Sequence, residues 1–262
     1  MNRTPKIGIC GMGTVGTALH NTFCHHADVF PFDINGTGKV EDLSNCDMTF
    51  ICVPTPKDDL TALQWAFDNV KCPLLVIKST VLPGTCRVMM LGDSRKIVVN
   101  PEFFNDRSAN EDFANSSRII LGGEPRETAK VRKFYERIFP QATYFEVSLE
   151  EAEFLKCITN AAMAVKISMA NEFKKIADFM GANWDKIRNM LESDERLGNV
   201  GWQVPGPDGL PGFGGRCLPN DLERLIQFSN AWGEDPLILK AAHMVNKISR
   251  PQSSQCQQNS AP

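Results

Sequence analysis

The sequence of 262 residues lacks any apolar run near the ~18 residues needed to cross a bilayer as a helix. It also lacks a leader pattern: Met1-Asn2-Arg3-Thr4-Pro5-Lys6 runs directly into a strand, with no cleavable apolar core. An excess of either charge is missing too, since 28 Lys and Arg face 31 Asp and Glu for a net charge of −3. That balance argues against a nucleic-acid binder, whose usual footprint is a basic patch. Cysteines are numerous, but nine is an odd number, and Cys10, Cys24, Cys46, Cys52, Cys72, Cys86, Cys157, Cys217 and Cys256 contain no C-x-x-C. The histidines His20, His25, His26 and His243 show no metal-ligand spacing with them, so no metal site is expected. A reducing, cytoplasmic setting is expected, with most cysteines acting as small buried hydrophobes. Apolar residues make up 42% and charged residues 23%, an ordinary globular balance, and the length allows one or two domains at ~100–200 residues each.

What is present first is alternation. Short apolar runs at 6–10, 29–32, 48–53, 74–78 and 97–99 read as strands, and 29–32 is the weak one because Pro31 removes a ladder hydrogen bond. Helix patterns at 14–23, 60–70 and 84–91 lie between them. Further strands are expected at 118–121 and 143–147, with a helix over 125–138. Strands alternating with helices predict an α/β domain, a Rossmann-type doubly wound parallel sheet over 1–147. From 149 to 180 no Pro or Gly interrupts, which predicts one long helix. Its middle, Ala161-Ala162-Met163-Ala164-Val165, is apolar all round, so burial partly against a second subunit is expected, giving a homodimer. A Gly/Pro-rich loop spans 198–215, and helices follow at 219–231 and 236–248. An all-helical dimerisation domain over 148–250 and a frayed polar tail over 251–262 complete the expected organisation.

Gly11-Met12-Gly13-Thr14-Val15-Gly16 is a G-x-G-x-x-G placed after a strand and opening a helix. Gly11 serves the tight turn, Gly13 admits a pyrophosphate and Gly16 lets helix and strand pack closely, while the helix N-terminus offers unpaired N–H groups. Asp33 follows at about the ~20-residue distance that the fingerprint requires, near the end of the second strand. A carboxylate there can hold both ribose hydroxyls and repel a 2′-phosphate, which selects NAD over NADP. The other reading of Asp33 is a loop carboxylate capping a turn with Asn35-Gly36. Val53-Pro54-Thr55-Pro56, Ser79-Thr80 and Asn100-Pro101-Glu102 stand at the C-terminal ends of expected strands, the rim on which open α/β sheets bind ligands.

Glu153, Lys156 and Asn160 share one face of the long helix. A solvated polar stripe is the plain reading of that pattern, but Asn160 opens the most apolar section and needs buried partners. Cys217 follows Gly212-Phe213-Gly214-Gly215-Arg216 and precedes Leu218-Pro219-Asn220-Asp221. Pro219 can start a helix, which puts Cys217 at an N-terminus, where the dipole lowers a thiol pKa.

In these residues the chain resembles the nucleotide-sugar dehydrogenases, the UDP-glucose/GDP-mannose dehydrogenase family. The resemblance runs through Ile9 to Gly16, Val53 to Pro56, Ser79 to Thr85, Asn100 to Phe103, Glu153-x-x-Lys156-x-x-x-Asn160-Ala161, Asn171-Glu172 and Gly212-Phe213-Gly214-Gly215-x-Cys217. It implies a four-electron oxidation of a sugar primary alcohol to a carboxylate with two NAD and one water. Asp221 with a bound water, helped by Lys156, is then the base. Cys217 is the nucleophile that passes through a thiohemiacetal to a thioester. Lys156 and Asn160 stabilise negative charge on the sugar oxygen, and Glu102 activates the hydrolytic water that Thr80 positions. The resemblance places the cofactor on Gly11, Met12, Gly13, Thr14, Val15, Gly16, Asp33, Val53, Pro54, Thr55, Ser79 and Thr80. It places the substrate on Glu102, Phe103, Phe104, Lys156, Asn160, Phe213, Gly214 and Gly215, with Arg196 reaching the neighbouring subunit's site.

The chain departs from the family at Asn220, where a Lys that contacts ligand is usual, and at Asp106, where Glu is common in some members. It also reads as a short form, without the C-terminal nucleotide-binding domain that normally follows. Two alternatives accompany the resemblance. One is a two-electron β-hydroxyacid-type dehydrogenase, which needs no cysteine. The other is an NAD-binding subunit completed by a partner that carries the missing domain.

Overall fold

A computed structural model describes residues 3–56, 59–104 and 108–250, and the chain divides into two compact units, Met1–Lys156 and Cys157–Pro262. In the first unit the expected strands form β1 (Lys6–Cys10), β2 (Asp28–Phe32), β3 (Met48–Ile51), β4 (Leu74–Ile77), β5 (Lys96–Val99), β6 (Arg118–Gly122) and β7 (Thr143–Val147). They make one sheet in the order β2-β1-β3-β4-β5-β6-β7. Every residue of β3 and β4 is buried, as expected of parallel strands covered on both faces. Side chains alternate between two cores. Ile7, Ile9, Phe50 and Val76 meet Phe23, Phe134 and Tyr135 on one face, and Cys10, Ile51, Leu75 and Ile77 meet Leu63 and Phe67 on the other. Pro31 is accommodated because β2 is the sheet edge, where a missing N–H costs no second partner.

The helices of this unit are α1 (Thr14–Phe23), α2 (Thr61–Asn69), α3 (Thr85–Met89), α4 (Ala109–Ala114) and α5 (Pro125–Tyr135). Because β1 lies between β2 and β3, successive connections leave it on opposite sides, which makes its C-terminal end the switch point of the sheet. One departure from an all-parallel sheet is clear. β6 runs antiparallel to β5 and meets it through a single residue pair, Val99↔Gly122, while β6 and β7 pair in parallel. A buried apolar run reads alike in either direction, so its pattern is silent on polarity.

The long helix α6 covers Leu149–Phe179, beginning in the first unit and continuing in the second. The second unit adds α7 (Trp184–Glu192), α8 (Cys217–Ala231) and α9 (Leu237–Ser249). Within it Ala161, Ala164 and Ala170 of α6 are buried, and Ser168 donates a hydrogen bond to the Ala242 carbonyl at 3.0 Å. Met169, Phe173 and Ile176 of the same helix are exposed. α8 begins at Cys217, two residues before the expected Pro219 start; a proline is tolerated in a first turn, where its missing N–H has no intrahelical partner. α4, α7 and a 3₁₀ segment at Val40–Asn45 add to the expected elements. For α7 a signal existed, since the Asn183 side chain caps it by accepting from the Lys186 N–H.

The tail 251–262, with Cys256, and Asp106 lie outside the described residues. Among the described residues, no helix is long and apolar enough to cross a membrane, and no group of three or more His, Cys, Asp or Glu could hold a metal ion.

Candidate active site

The first unit assembles its part of the site around the end of β1. Gly11 has φ +95°, and a Cβ there would stand 2.8 Å from the Cys52 carbonyl oxygen. A Cβ on Gly16 would stand 1.9 Å from the Gly11 carbonyl oxygen, so the turn closes only over glycine. Nothing stands within 4 Å of the Cβ position at Gly13, which leaves that backbone open to an incoming group. Asp33 folds back onto this turn, its Oδ2 accepting from the Met12 N–H at 2.7 Å. Its Oδ1 accepts from the Asn35 N–H at 3.1 Å, so the turn-capping role considered for Asp33 is real as well. The next two rim segments are tied to each other. Ser79 Oγ donates to the Val53 carbonyl at 2.6 Å, and Thr55 Oγ1 donates to the Thr80 carbonyl at 2.6 Å.

Glu102, half-buried, and Lys156, buried, form an ion pair. Lys156 Nζ donates to the Glu102 backbone oxygen at 2.6 Å and to Oε1 at 3.0 Å, while Oε2 accepts from the Phe104 N–H at 2.8 Å. The turn carrying Glu102 is anchored by Asn100, whose Oδ1 accepts from Tyr135 at 2.6 Å and from Lys78 Nζ at 3.1 Å. Burial pulls the Lys78 ammonium down to about 8. The Lys78 nitrogen also lies 5.6 Å from the Phe104 ring centre, and Lys156 Nζ 5.5 Å from that of Phe103. Lys78 went unnoticed in the sequence because it closes an apolar strand run and has no polar neighbour before Ser79.

Glu153 does something other than join a polar face with Lys156 and Asn160. It is buried, and its carboxylate accepts from the Gly84 N–H at 2.6 Å and the Cys86 N–H at 2.9 Å, where α3 begins. Burial raises its carboxyl pKa despite these two donors. Its work is to hold α3 to α6.

In the second unit, Cys217 and Asp221 lie one turn apart at the start of α8, the cysteine exposed and the aspartate buried. Asn160 Nδ2 donates to Asp221 Oδ2 at 2.5 Å, and Arg224, also buried, stands 3.5 Å from Oδ1. The expected buried partner of Asn160 is therefore Asp221. The loop before Cys217 is clamped by two asparagines. Asn171 Oδ1 accepts from the Gly212 N–H at 2.8 Å, and Asn246 both accepts from the Phe213 N–H at 2.7 Å and donates to its carbonyl at 3.0 Å. A Cβ on Gly214 would stand 2.2 Å from the buried Arg250 guanidinium, which itself bonds Asp208 and the Pro211 carbonyl. These glycines thus make room for protein as well as for any ligand. Phe213 is buried and Gly215 exposed. Arg196 is exposed and paired with Asp194 at 2.5 Å. Asn246 escaped sequence reasoning, since nothing in local spacing marks a partner 33 residues away, whereas Arg224 stands only three residues from Asp221, a spacing the sequence did display.

Residues 33–141 match the NAD binding domain, and residues 150–248 the central domain, of the UDP-glucose/GDP-mannose dehydrogenase family. The UDP-glucose 6-dehydrogenase of Rickettsia prowazekii (strain Madrid E) is 34% identical over 225 residues, covering 78% of this chain and 50% of that protein. A UDP-glucose dehydrogenase structure from the hyperthermophilic archaeon Pyrobaculum islandicum superposes with a TM-score of 0.84 at 26% identity, over 94% of this chain and 68% of that one. In fold alone, the chain is also similar to Mycobacterium tuberculosis 3-hydroxyisobutyrate dehydrogenase, with a TM-score of 0.74 at 17% identity over 99% and 100% of the two chains. The chain spans about half the length of the relatives it matches in sequence. Its two matched regions, in order, make it a member of the UDP-glucose/GDP-mannose dehydrogenase family, carrying that family's NAD binding and central domains.

Proposed function

We propose that the chain carries out the NAD-dependent four-electron oxidation of the C6 primary alcohol of a nucleotide sugar, UDP-glucose to UDP-glucuronate, through a thioester on Cys217. The observation that carries this reading is on α8, where an exposed thiol opens the helix and a buried, hydrogen-bonded carboxylate follows one turn later. Simple alcohol oxidation has no use for the thiol. A second oxidation of an aldehyde needs a nucleophile to add first.

NAD, when bound, would supply the hydride acceptor, one molecule for each of the two oxidations in turn. Gly11 to Gly16 and the α1 N-terminus would hold its pyrophosphate, Asp33 its ribose hydroxyls, and Val53, Pro54, Thr55, Ser79 and Thr80 its remainder. Asp221, through a water, takes the hydroxyl proton as the first hydride leaves C6. Lys156 and Asn160 donate to the sugar oxygen wherever it gains negative charge. The Cys217 sulfur adds to the aldehyde carbon, and loss of a proton and a second hydride turns the thiohemiacetal into a thioester. Glu102, held by Lys156 and the Phe104 N–H, takes a proton from a water positioned by Thr80. That water's oxygen attacks the thioester carbonyl, releasing the carboxylate and restoring the thiol. Phe103, Phe104, Phe213, Gly214 and Gly215 line the sugar nucleotide in this reading, and Arg196 reaches it from a second copy.

The same reading takes 1–147 and 148–250 as the functional domains and the cytoplasm as the setting. It also takes a homodimer as the working form, supported by the exposed Phe173 and Ile176 of α6. With Val245 and Ile248, these residues line a groove of about 390 Å³.

Stoichiometry and intact mass test the chemistry together. The wild type should form two NADH per carboxylate, and Glu102→Gln should accumulate one sugar-acyl adduct on Cys217. Cys217→Ser should stall, releasing a little aldehyde or holding an ester. A Cys217→Ser variant turning over at the wild-type rate with one NADH per substrate would instead establish the two-electron reading. A wild type that binds NAD but no sugar nucleotide would fit a subunit completed by a partner.

A further inference from the structure

A stacked aromatic pair stands beside the ribose carboxylate and has no part in the chemistry above. Phe32, the last residue of β2 and the neighbour of Asp33, lies 5.6 Å from Trp65 of α2 between ring centres, with the ring planes only 14° apart. Trp65 nevertheless remains 38% exposed. α2 follows β3, so its N-terminus faces the C-terminal rim of the sheet. Helical side chains lean toward their own N-terminus, and the indole therefore leans toward that rim. Ile34, immediately after Asp33, is 85% exposed at the same rim. The indole is thus backed by a second ring, open to solvent and close in the chain fold to a carboxylate placed to hold a ribose, so a flat aromatic group arriving there can cover it.

We infer that Trp65, backed by Phe32, stacks on the adenine ring of the bound dinucleotide. The inference rests on the reading of Asp33 as the ribose ligand. A base is joined directly to its sugar, so fixing the ribose hydroxyls on Asp33 leaves the adenine within one sugar's width of the residues flanking that carboxylate. Phe32 precedes Asp33 in the chain and Trp65 lies against Phe32. Neither ring offers a hydrogen-bond pattern that reads one base edge, so recognition is by the π-face and by shape.

Calorimetric titration of the full chain with NAD and with ADP-ribose tests this in the wild type and in Trp65→Ala, Trp65→Leu and Trp65→Phe. Base stacking on an aromatic side chain predicts weakening of both ligands by about tenfold in the Ala and Leu variants and recovery to within about threefold in Phe. A role in packing alone would be met equally by Leu. Should the Ala and Leu variants fail to fold, tryptophan emission decides: ADP-ribose should quench the wild type and leave Trp65→Phe unquenched. Equal affinity of wild type and Trp65→Leu, or equal quenching of wild type and Trp65→Phe, overturns the stacking role and leaves the cofactor reading standing. A wild type that binds neither NAD nor ADP-ribose overturns both.

Discussion

Replacing Asp33 probes the cofactor site most directly, because the residue does two things at once. Its Oδ2 holds the Met12 N–H at 2.7 Å and its Oδ1 the Asn35 N–H at 3.1 Å, so it fixes the glycine turn before any ligand arrives. The ribose hydroxyls would add donors to the same two oxygens. Hydrogen bonds to a charged group contribute roughly 1.5–3 kcal/mol, so loss of the ribose contact alone should raise the NAD Kd by about 10- to 150-fold. Asp33→Asn keeps one oxygen that can accept a turn N–H while removing the charge, whereas Asp33→Ala also frees the turn. The Ala variant should therefore bind NAD more weakly than the Asn variant and also melt at a lower temperature. NADP brings a phosphate against the carboxylate, and at ~5 Å with an effective dielectric of 20 each unit charge costs about 3 kcal/mol, an upper figure at an exposed rim. Asp33→Asn should accordingly narrow the gap between NAD and NADP from both sides. Isothermal titration of both cofactors into the three proteins measures this. Equal wild-type affinities for NAD and NADP, or an Asn variant with unchanged NAD affinity, would refute the assignment.

Three further outcomes are expected. Glu153→Gln retains one acceptor but turns an amide N–H₂ toward the donors at the start of α3, and urea denaturation should show a loss of about 2–4 kcal/mol; a change under ~0.5 would show that the two hydrogen bonds contribute little. Phe173→Glu with Ile176→Glu should shift a wild-type dimer to monomer in sedimentation without unfolding it, since both side chains are exposed in the single chain, whereas Ala164 is buried and unsuited to the test. Burial raises the Cys10 and Cys46 thiols to about 12, so the stability they contribute is complete below the unfolded thiol value of ~8.5 and is lost as pH rises toward 12. Lys78 acts oppositely, its burial cost easing between about 8 and the unfolded ~10.4, but two thiols outweigh one amine. The urea midpoint should fall from pH 9 to 11, and a rise would count against the buried thiols.

The parts of this protein legible in its sequence are those set by local backbone and side-chain preferences. Alternation of apolar runs located all seven strands of the sheet, and Gly11, Gly13 and Gly16 located the turn that follows β1. The uninterrupted helix formers located α6 to within a residue of its end. Pro31 marked 29–32 as the weak strand, and only the sheet order showed that strand to be an edge. Periodicity records which residues are covered and leaves unstated what covers them. Glu153 read as part of a polar stripe until α3 was seen to lie over it, 67 to 69 residues away. Gly214 read as part of the substrate surface, yet Arg250 fills much of the room beside it, as Asn246 does beside Gly212. The single antiparallel pair between β5 and β6, the hold of Lys78 and Tyr135 on Asn100, and the stack of Trp65 on Phe32 all join segments far apart in the chain. A local conformational preference acts over a turn or a few residues of strand. A buried polar atom instead takes whichever partner the packed chain brings within hydrogen-bond reach, and that choice is made only when the tertiary structure closes.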